Sequence, residues 1–340
     1  MRAIVYTTTG GPDVLSLTDR PVPVPGPGEV RVRVVVSGVN PTDWKTRRGS
    51  GPGQPLAFPA VVPHQDGAGT VDALGPGVSD LAVGQRVWLW EAAWQRADGT
   101  AQEYVVLPRA QAVPLPDAAS FDLGATLGIP ALTAHRCLTV AESGPDRLHL
   151  GALFGRTVLV AGGAGAVGHA AIQLARWAGA EVVTTVSSPA KAELARRAGA
   201  HHVVDYRAQD AAGEIRRVAP RGVDLVVEVS PAVNVALDTA VVAPHATVAI
   251  YANNGGDEVV LPVRAHMTPN TRFQFVLVYT VPADAKRHAV ADVAAAVAAG
   301  ALSVGEDAGL PLHRFALERT PQAQAAVEAQ LVGKVLVDLG

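Results

Sequence analysis

Alternation of apolar and polar positions runs through the first third of the chain. In residues 30–36, VRVRVVV, the side chains of Val30, Val32 and Val34 fall on one side and those of Arg31 and Arg33 on the other. That two-residue period predicts a strand with one buried face. Further strands are predicted at RAIVYT near the start, at 66–75, 85–90 and 103–108, each bounded by Pro or Gly. From about residue 122 the pattern changes to strands followed by Ala-rich amphipathic stretches, the alternation that builds a parallel sheet covered by helices. Six strands are predicted there, at 157–162, 181–186, 201–206, 223–229, 245–251 and 272–280. A helix over 282–302, a strand near 311–317, a helix near 321–330 and a last strand, KVLVDL, are expected to fold back on the first region. The expected class is α/β: a mostly β domain of residues 1–124 and 281–340, and a doubly wound six-stranded parallel domain of residues 125–280.

Length and composition agree with two domains, since 340 residues divide into roughly two units of about 150. With 31 acidic against 28 basic residues, the net charge of -3 gives no electrostatic reason to expect nucleic acid or an anionic membrane as partner. Cys137 stands alone, which excludes an intrachain disulfide and a four-cysteine zinc lobe and fits a reducing cytoplasm. The first residues lack the apolar core of a signal peptide, and no stretch is long and apolar enough to span a bilayer, so a cytoplasmic protein is expected.

The strongest chemical signal is VLVAGGAGAVG at 158–168, a hydrophobic strand running into Gly163-x-Gly165-x-x-Gly168 and then a helix. Gly163 is expected to allow the tight turn, Gly165 to let the backbone approach a pyrophosphate, and Gly168 to let helix and strand pack closely. Ala164, Ala166 and Val167 complete the turn that presents the helix N-terminus to phosphate. The plain alternative is a structural glycine turn. At the end of the next strand, where an acid would hold the ribose hydroxyl of NAD, the chain reads Ser187, Ser188, Pro189, Ala190, Lys191. Ser187, Ser188 and Lys191, with Tyr206 and Arg207 beyond, are donors suited to the 2'-phosphate of NADPH; the alternative is that Lys191 is a solvated helix residue. Tyr251 and Asn253, at the carboxyl end of the fifth strand of that sheet, are placed for the nicotinamide.

The opening GGPDVLSL, SGVNPTDW at 37–44, GAG at 67–69, GIPALTAHRCL at 128–138, AGGAGAVG at 161–168, AGAHHVVDYR at 198–207 and the ending VGKVLVDL resemble zinc-independent quinone oxidoreductases of the zeta-crystallin type, in the medium-chain dehydrogenase/reductase superfamily. The resemblance is colinear over nearly the whole chain. It implies a GroES-like, mostly β catalytic domain, a Rossmann domain, and a homodimer or tetramer joined through the Rossmann sheets. It also implies that Thr126, Pro130 and Thr133 lie beside the nicotinamide, although by pattern alone they begin an amphipathic helix. Zinc-dependent alcohol dehydrogenases share the architecture, and where they carry a cysteine and then His-Glu as metal residues, this chain has Asn40 and Gln65-Asp66. No metal site is expected, because neither Cys137 nor a close histidine pair supplies a ligand set. His201 and His202, adjacent on a predicted strand, are expected to face opposite ways.

The chemistry implied is hydride transfer from NADPH to an electron-poor conjugated acceptor, with donors needed where oxygen gains negative charge. Asn40 is the first candidate donor, its plain role being a turn cap; Asp43 either orients water or caps the helix. Thr126 is the third candidate catalytic residue. Trp44 replaces tyrosines that relatives carry near the quinone pocket, and Trp90 and Trp94, with Trp88, offer an aromatic wall, the alternative being that Trp88 and Trp90 share one strand face and pack in a core. The leading reading is a quinone reductase, followed by an enoyl reductase acting on a conjugated alkene of a carbonyl compound or acyl thioester. A non-catalytic NADPH-holding structural or RNA-binding protein is the alternative of another class. The long apolar stretch 272–280, as the outermost strand, predicts a homodimer paired along that edge.

Overall fold

Strand β1 (Arg2–Val5) pairs antiparallel with β2 (Ser16–Asp19) in the computed structural model, which describes residues 1–340. Next comes β3 (Glu29–Val39), in which Val30, Val32 and Val34 are buried and Arg33 exposed, as the alternation requires. Helix α1 (Pro41–Arg48) follows directly, with Asn40 as its N-cap and proline at its first position. Strands β4 (Asp66–Leu74), β5 (Arg86–Leu89), β6 (Tyr104–Pro108) and β7 (Ala112–Pro114) and helix α2 (Phe121–Gly124) complete the N-terminal part.

The second unit begins at Pro130, within a π-turn over Leu127–Ala131, and continues as α3 (Leu132–Leu138). Its βα repeats are β8 (Thr157–Ala161), α4 (Ala166–Trp177), β9 (Glu181–Val186), α5 (Pro189–Arg197), β10 (His202–Asp205), α6 (Ala211–Val218), β11 (Val223–Glu228), α7 (Pro231–Val241) and β12 (Val242–Ile250). They end with α8 (Val263–Met267), β13 (Arg272–Phe275) and α9 (Ala283–Ala298). All six strands are parallel, in the order β10-β9-β8-β11-β12-β13, so the topological switch lies between β8 and β11, where α/β sheets bind nucleotides.

The chain then returns to the first unit with β14 (Leu312–Ala316), α10 (Thr320–Glu328) and β15 (Lys334–Asp338). In that unit's seven-stranded sheet β3 is long enough to hold two partners on one edge, β6 along residues 29–33 and β15 along 36–39, while β4 takes the other edge. Val30, Val32, Val105, Val335 and Val337 join one apolar core.

Three expectations need correction. Residues 281–311 belong to the second unit and Thr126 to the first, the units being 1–129 with 312–340, and 130–311. The cause is Asp292 on α9, whose buried carboxylate accepts from His135 at 2.8 Å, from Leu148 N at 2.7 Å and from Arg147. Those bonds and the docking of α9 on α3 tie the helix to the parallel sheet. Second, the strand foreseen at 272–280 stops at Phe275, because Val276 and Val278 turn inward and 278–280 close a 3-10 turn; β13 is still the edge strand. Third, His201 precedes β10, so alternation does not govern it, and both histidines reach Glu181, His202 at 2.9 Å and His201 at 3.7 Å.

Candidate active site and nucleotide site

In the first unit three strand ends converge. Register pairs Gly38 of β3 with Asp66 of β4 on one side and Val39 with Val335 of β15 on the other, so Asn40 meets both Asp66 and Lys334. Asn40 Nδ2 donates to Asp66 Oδ2 at 2.7 Å, and Lys334 Nζ donates to Asn40 Oδ1 at 2.7 Å. The ammonium lies 3.6 Å from Asp66, and all three side chains are buried. Asp66 Oδ1 accepts from Ile129 N at 2.8 Å; a Cβ on Gly128 would sit 2.1 Å from that oxygen, so only glycine permits the approach. Asp43 closes a capping box, accepting from Asn40 N at 2.7 Å, which is the helix-cap role weighed for it.

Burial sets the charges of this cluster. It pushes Asp43 up to about 8, with the neighbouring Asp66 adding to the rise, so Asp43 is protonated at neutral pH. It also raises Asp66 and lowers Lys334, each opposed by the charge of the other.

A chain of hydrogen bonds supports Asp66 from behind. Arg47 Nε donates to Gln324 Oε1 at 2.7 Å, and Gln324 Nε2 faces His64 Nε2 at 3.2 Å. His64 Nδ1 meets Ser37 at 3.0 Å, Ser37 meets Thr100 at 2.7 Å, and Thr100 donates to the Asp66 carbonyl at 2.5 Å. Arginine only donates and a carbonyl only accepts, so every link has one direction and His64 carries its proton on Nδ1. Burial holds that ring neutral, its pKa down at about 3. His64 also adopts φ 81, a left-handed backbone that costs energy and is fixed by these bonds.

Other expected site residues fall as follows. Gln65 turns away from Asn40, its side chain accepting from Ala93 N. Thr126 is buried and spends its hydroxyl proton on Leu123 O at 2.6 Å. Trp44 is flanked by Lys45 and Arg48, each 5.9 Å from the ring. Trp90 donates to Ala110 O at 3.2 Å, Trp94 is half-buried, and Trp88 is core. A cavity of about 440 Å³ at the C-terminal end of α1 is lined by Arg47, Arg48, Ser50, Glu328 and glycine loops, and by none of the tryptophans. No group of three His, Cys, Asp or Glu side chains is arranged to hold a metal.

In the second unit the glycine run stands between β8 and α4 as foreseen, with one change of role. The left-handed turn residue is Gly162, at φ 72, and not Gly163. A Cβ on Gly163 would lie 2.2 Å from Thr184 Oγ1, so Gly163 lets the turn pack on β9. A Cβ on Gly168 would lie 2.4 Å from Gly162 O, whereas one on Gly165 would meet only Gly162 O at 3.4 Å. The space before Gly165, at the N-terminus of a twelve-residue helix beginning Ala166-Val167, is open for a phosphate. Ala164 is buried beneath the turn.

At the end of β9, Ser188 caps α5 and Lys191 Nζ donates to Ser187 at 3.0 Å, which gathers donors where a carboxylate would select against a 2'-phosphate. Tyr206 is half exposed after β10. Thr133 is buried on α3, and Pro130 lies in the π-turn. Tyr251 follows β12, where burial pushes its hydroxyl up; Asn253 is exposed beside Asp257. Sequence reasoning missed Lys334, His64 as a support, and Gln324. Only Lys334 left a trace, as a charged residue opening an apolar strand.

Comparison with known proteins matches residues 26–117 to the alcohol dehydrogenase GroES-like domain and 166–298 to zinc-binding dehydrogenase. Quinone oxidoreductase of Homo sapiens is 30% identical over 262 residues, 76% of this chain and 75% of that protein. The synaptic vesicle membrane protein VAT-1 homolog of Rattus norvegicus is 35% identical over 230 residues; these are 67% of this chain but only 53% of that protein. Among solved structures, an NAD-dependent alcohol dehydrogenase superposes with a TM-score of 0.86 at 30% identity over 100% of both chains. A mycobacterial protein complexed with NADPH gives 0.81 at 29% identity over 99% of this chain and 100% of that one. A 2-haloacrylate reductase gives 0.77 at 25% over 99% of each.

Proposed function

Because the chain belongs to the quinone oxidoreductase family of the medium-chain dehydrogenase/reductase superfamily, we propose that it is an NADPH-dependent, zinc-independent reductase passing hydride to a quinone. The observation that carries the cofactor choice is the end of β9, where Ser187 and Lys191 stand in place of an acid, below a glycine turn open at Gly165. Lys191, with Tyr206 as a further donor, takes the 2'-phosphate, and the start of α4 takes the pyrophosphate. The bound nicotinamide nucleotide supplies the hydride. Asn40 retains a second amide hydrogen for the oxygen on which charge develops, and a solvent proton completes the two-electron reduction. Metal-free chemistry is supported by Lys334, whose ammonium is hydrogen-bonded to Asn40 at one of the positions where zinc enzymes place a ligand.

A second reading, reduction of a conjugated alkene, is favoured by the likeness to 2-haloacrylate reductase. Both are tested by NADPH oxidation after chelation, against quinones and enones, with NADH in parallel. Quinone turnover with NADPH preference supports the first, enone-only turnover the second, and dependence on added zinc overturns the metal-free reading. For assembly, β13 is an edge strand with Phe275 70% and Leu277 56% exposed beside exposed Val263 and Met267 on α8. We read this edge as the homodimer contact, and a single-chain mass at micromolar concentration overturns it. No helix is long and apolar enough to cross a membrane.

A further inference from the structure

We propose that Lys334 is a positioning residue for hydride transfer, its ammonium and the Asp66 carboxylate together fixing the direction in which the Asn40 amide donates. The inference rests on the reading of Asn40 as the donor to the acceptor's oxygen. An ammonium has only hydrogens to offer, so the Asn40 atom 2.7 Å from Nζ is the oxygen; a carboxylate has only lone pairs, so the atom 2.7 Å from Asp66 is the nitrogen. The two assignments agree. Turning the amide over would set NH2 against ammonium and C=O against carboxylate, two repulsive contacts among buried side chains.

Lys334 also draws electron density toward Oδ1, which makes the remaining amide hydrogen a stronger donor. The carboxylate is itself held, by Ile129 N on Oδ1 and through the Asp66 carbonyl by the chain ending at Thr100. A buried ion pair is weak evidence of a stabilising role, because apolar residues of similar volume commonly serve stability as well. What an apolar pair would not supply is the orientation of Asn40.

The test compares the wild type with Lys334→Met/Asp66→Asn, which removes both charges and leaves neither buried alone. Melting temperature, NADPH affinity, kcat, acceptor KM and the Asn40 side-chain amide resonances, assigned by their loss in Asn40→Asp, are measured on each. Expected are near-native melting and NADPH affinity, kcat lower by about 100-fold with little change in KM, and faster hydrogen exchange at the Asn40 amide. Recovery of kcat to within about threefold of wild type, with unchanged exchange at Asn40, would mean the pair serves packing alone and overturns the proposal. Should the double variant not fold, Lys334→Gln/Asp66→Asn, neutral at both positions and closer to the native polarity, is read by the same two criteria. If no acceptor is turned over by the wild type, the functional reading fails, while the amide resonances still decide whether Lys334 and Asp66 orient Asn40.

Discussion

Residues 161–168 build the glycine turn proposed to hold phosphate from one short run, whereas the first unit's cluster takes Asn40, Asp66 and Lys334 from positions 26 and 294 apart. In the proposed reading the glycine turn works through backbone amides and the absence of side chains, and the packing of its glycines is set by neighbours within the run or on the adjoining strand. The Asn40 cluster works through desolvated charge, and no member has a defined state until the other two arrive. A site of the first kind announces itself as a motif; one of the second kind exists only in the folded sheet.

The largest expected effect comes from breaking the distributed site. Lys334→Met alone leaves the Asp66 carboxylate buried without its cation, and the first unit should lose about 3–5 kcal/mol, read by calorimetry, while NADPH affinity is unchanged. Coupled loss of nucleotide affinity would show that the two sites are not independent. In the local site, Gly168→Ala drives a Cβ to 2.4 Å from Gly162 O and should cost about 1–3 kcal/mol with loss of binding. Gly165→Ala has room, so its melting temperature should hold while the NADPH Kd rises about tenfold, roughly 1.4 kcal/mol. Unchanged affinity in that variant would remove phosphate from the space before Gly165.

The effect of pH sharpens the comparison further. Asp43 in the first unit is raised to about 8 and Asp238 in the second to about 9, both chiefly by burial, Asp238 also by the neighbouring Glu228. Between pH 5 and 7 each is protonated in the fold and ionised in the unfolded chain, so the folded state binds more protons and stability falls as pH rises. The slope is about 1.4 kcal/mol per pH unit for each group. Asp43→Asn should reduce the slope of the first unit, to which the raised Asp66 also contributes, and leave that of the second, which two calorimetric transitions followed over this range would resolve. The smallest effect is expected of Lys191→Ala: about fivefold to tenfold weaker NADPH binding, with NADH unchanged, as befits a half-buried charge contact near the surface worth about 1 kcal/mol.

Legibility followed the same division. Strand alternation at Val30–Val34 and the run at 158–168 placed a strand in each sheet and the glycine turn between β8 and α4, because each pattern is short-range. The turn residue was assigned one position late, since Gly162 and Gly163 differ only in a backbone angle that composition does not carry. The pattern of α9 shows a helix but not its unit: an Ala/Val face fits any apolar surface, and Asp292 chooses its surface only through His135 and Arg147, more than 140 positions away. Lys334 was visible as a lysine opening KVLVDL, but its partner depends on the register of β15 against β3.

That β15 lies beside β3, in the middle of the first unit's sheet, orders events on the ribosome. A nascent chain emerging from its N-terminus exposes the nucleotide-binding unit in full while β3 still lacks part of its edge, so the second unit is free to fold first. Asn40 waits for a lysine nearly 300 residues downstream. A translation product halted between the end of the second unit and residue 334 would have the glycine turn and none of the cation bonded to Asn40, so its first unit would be left an open-edged substrate for proteolysis and quality control.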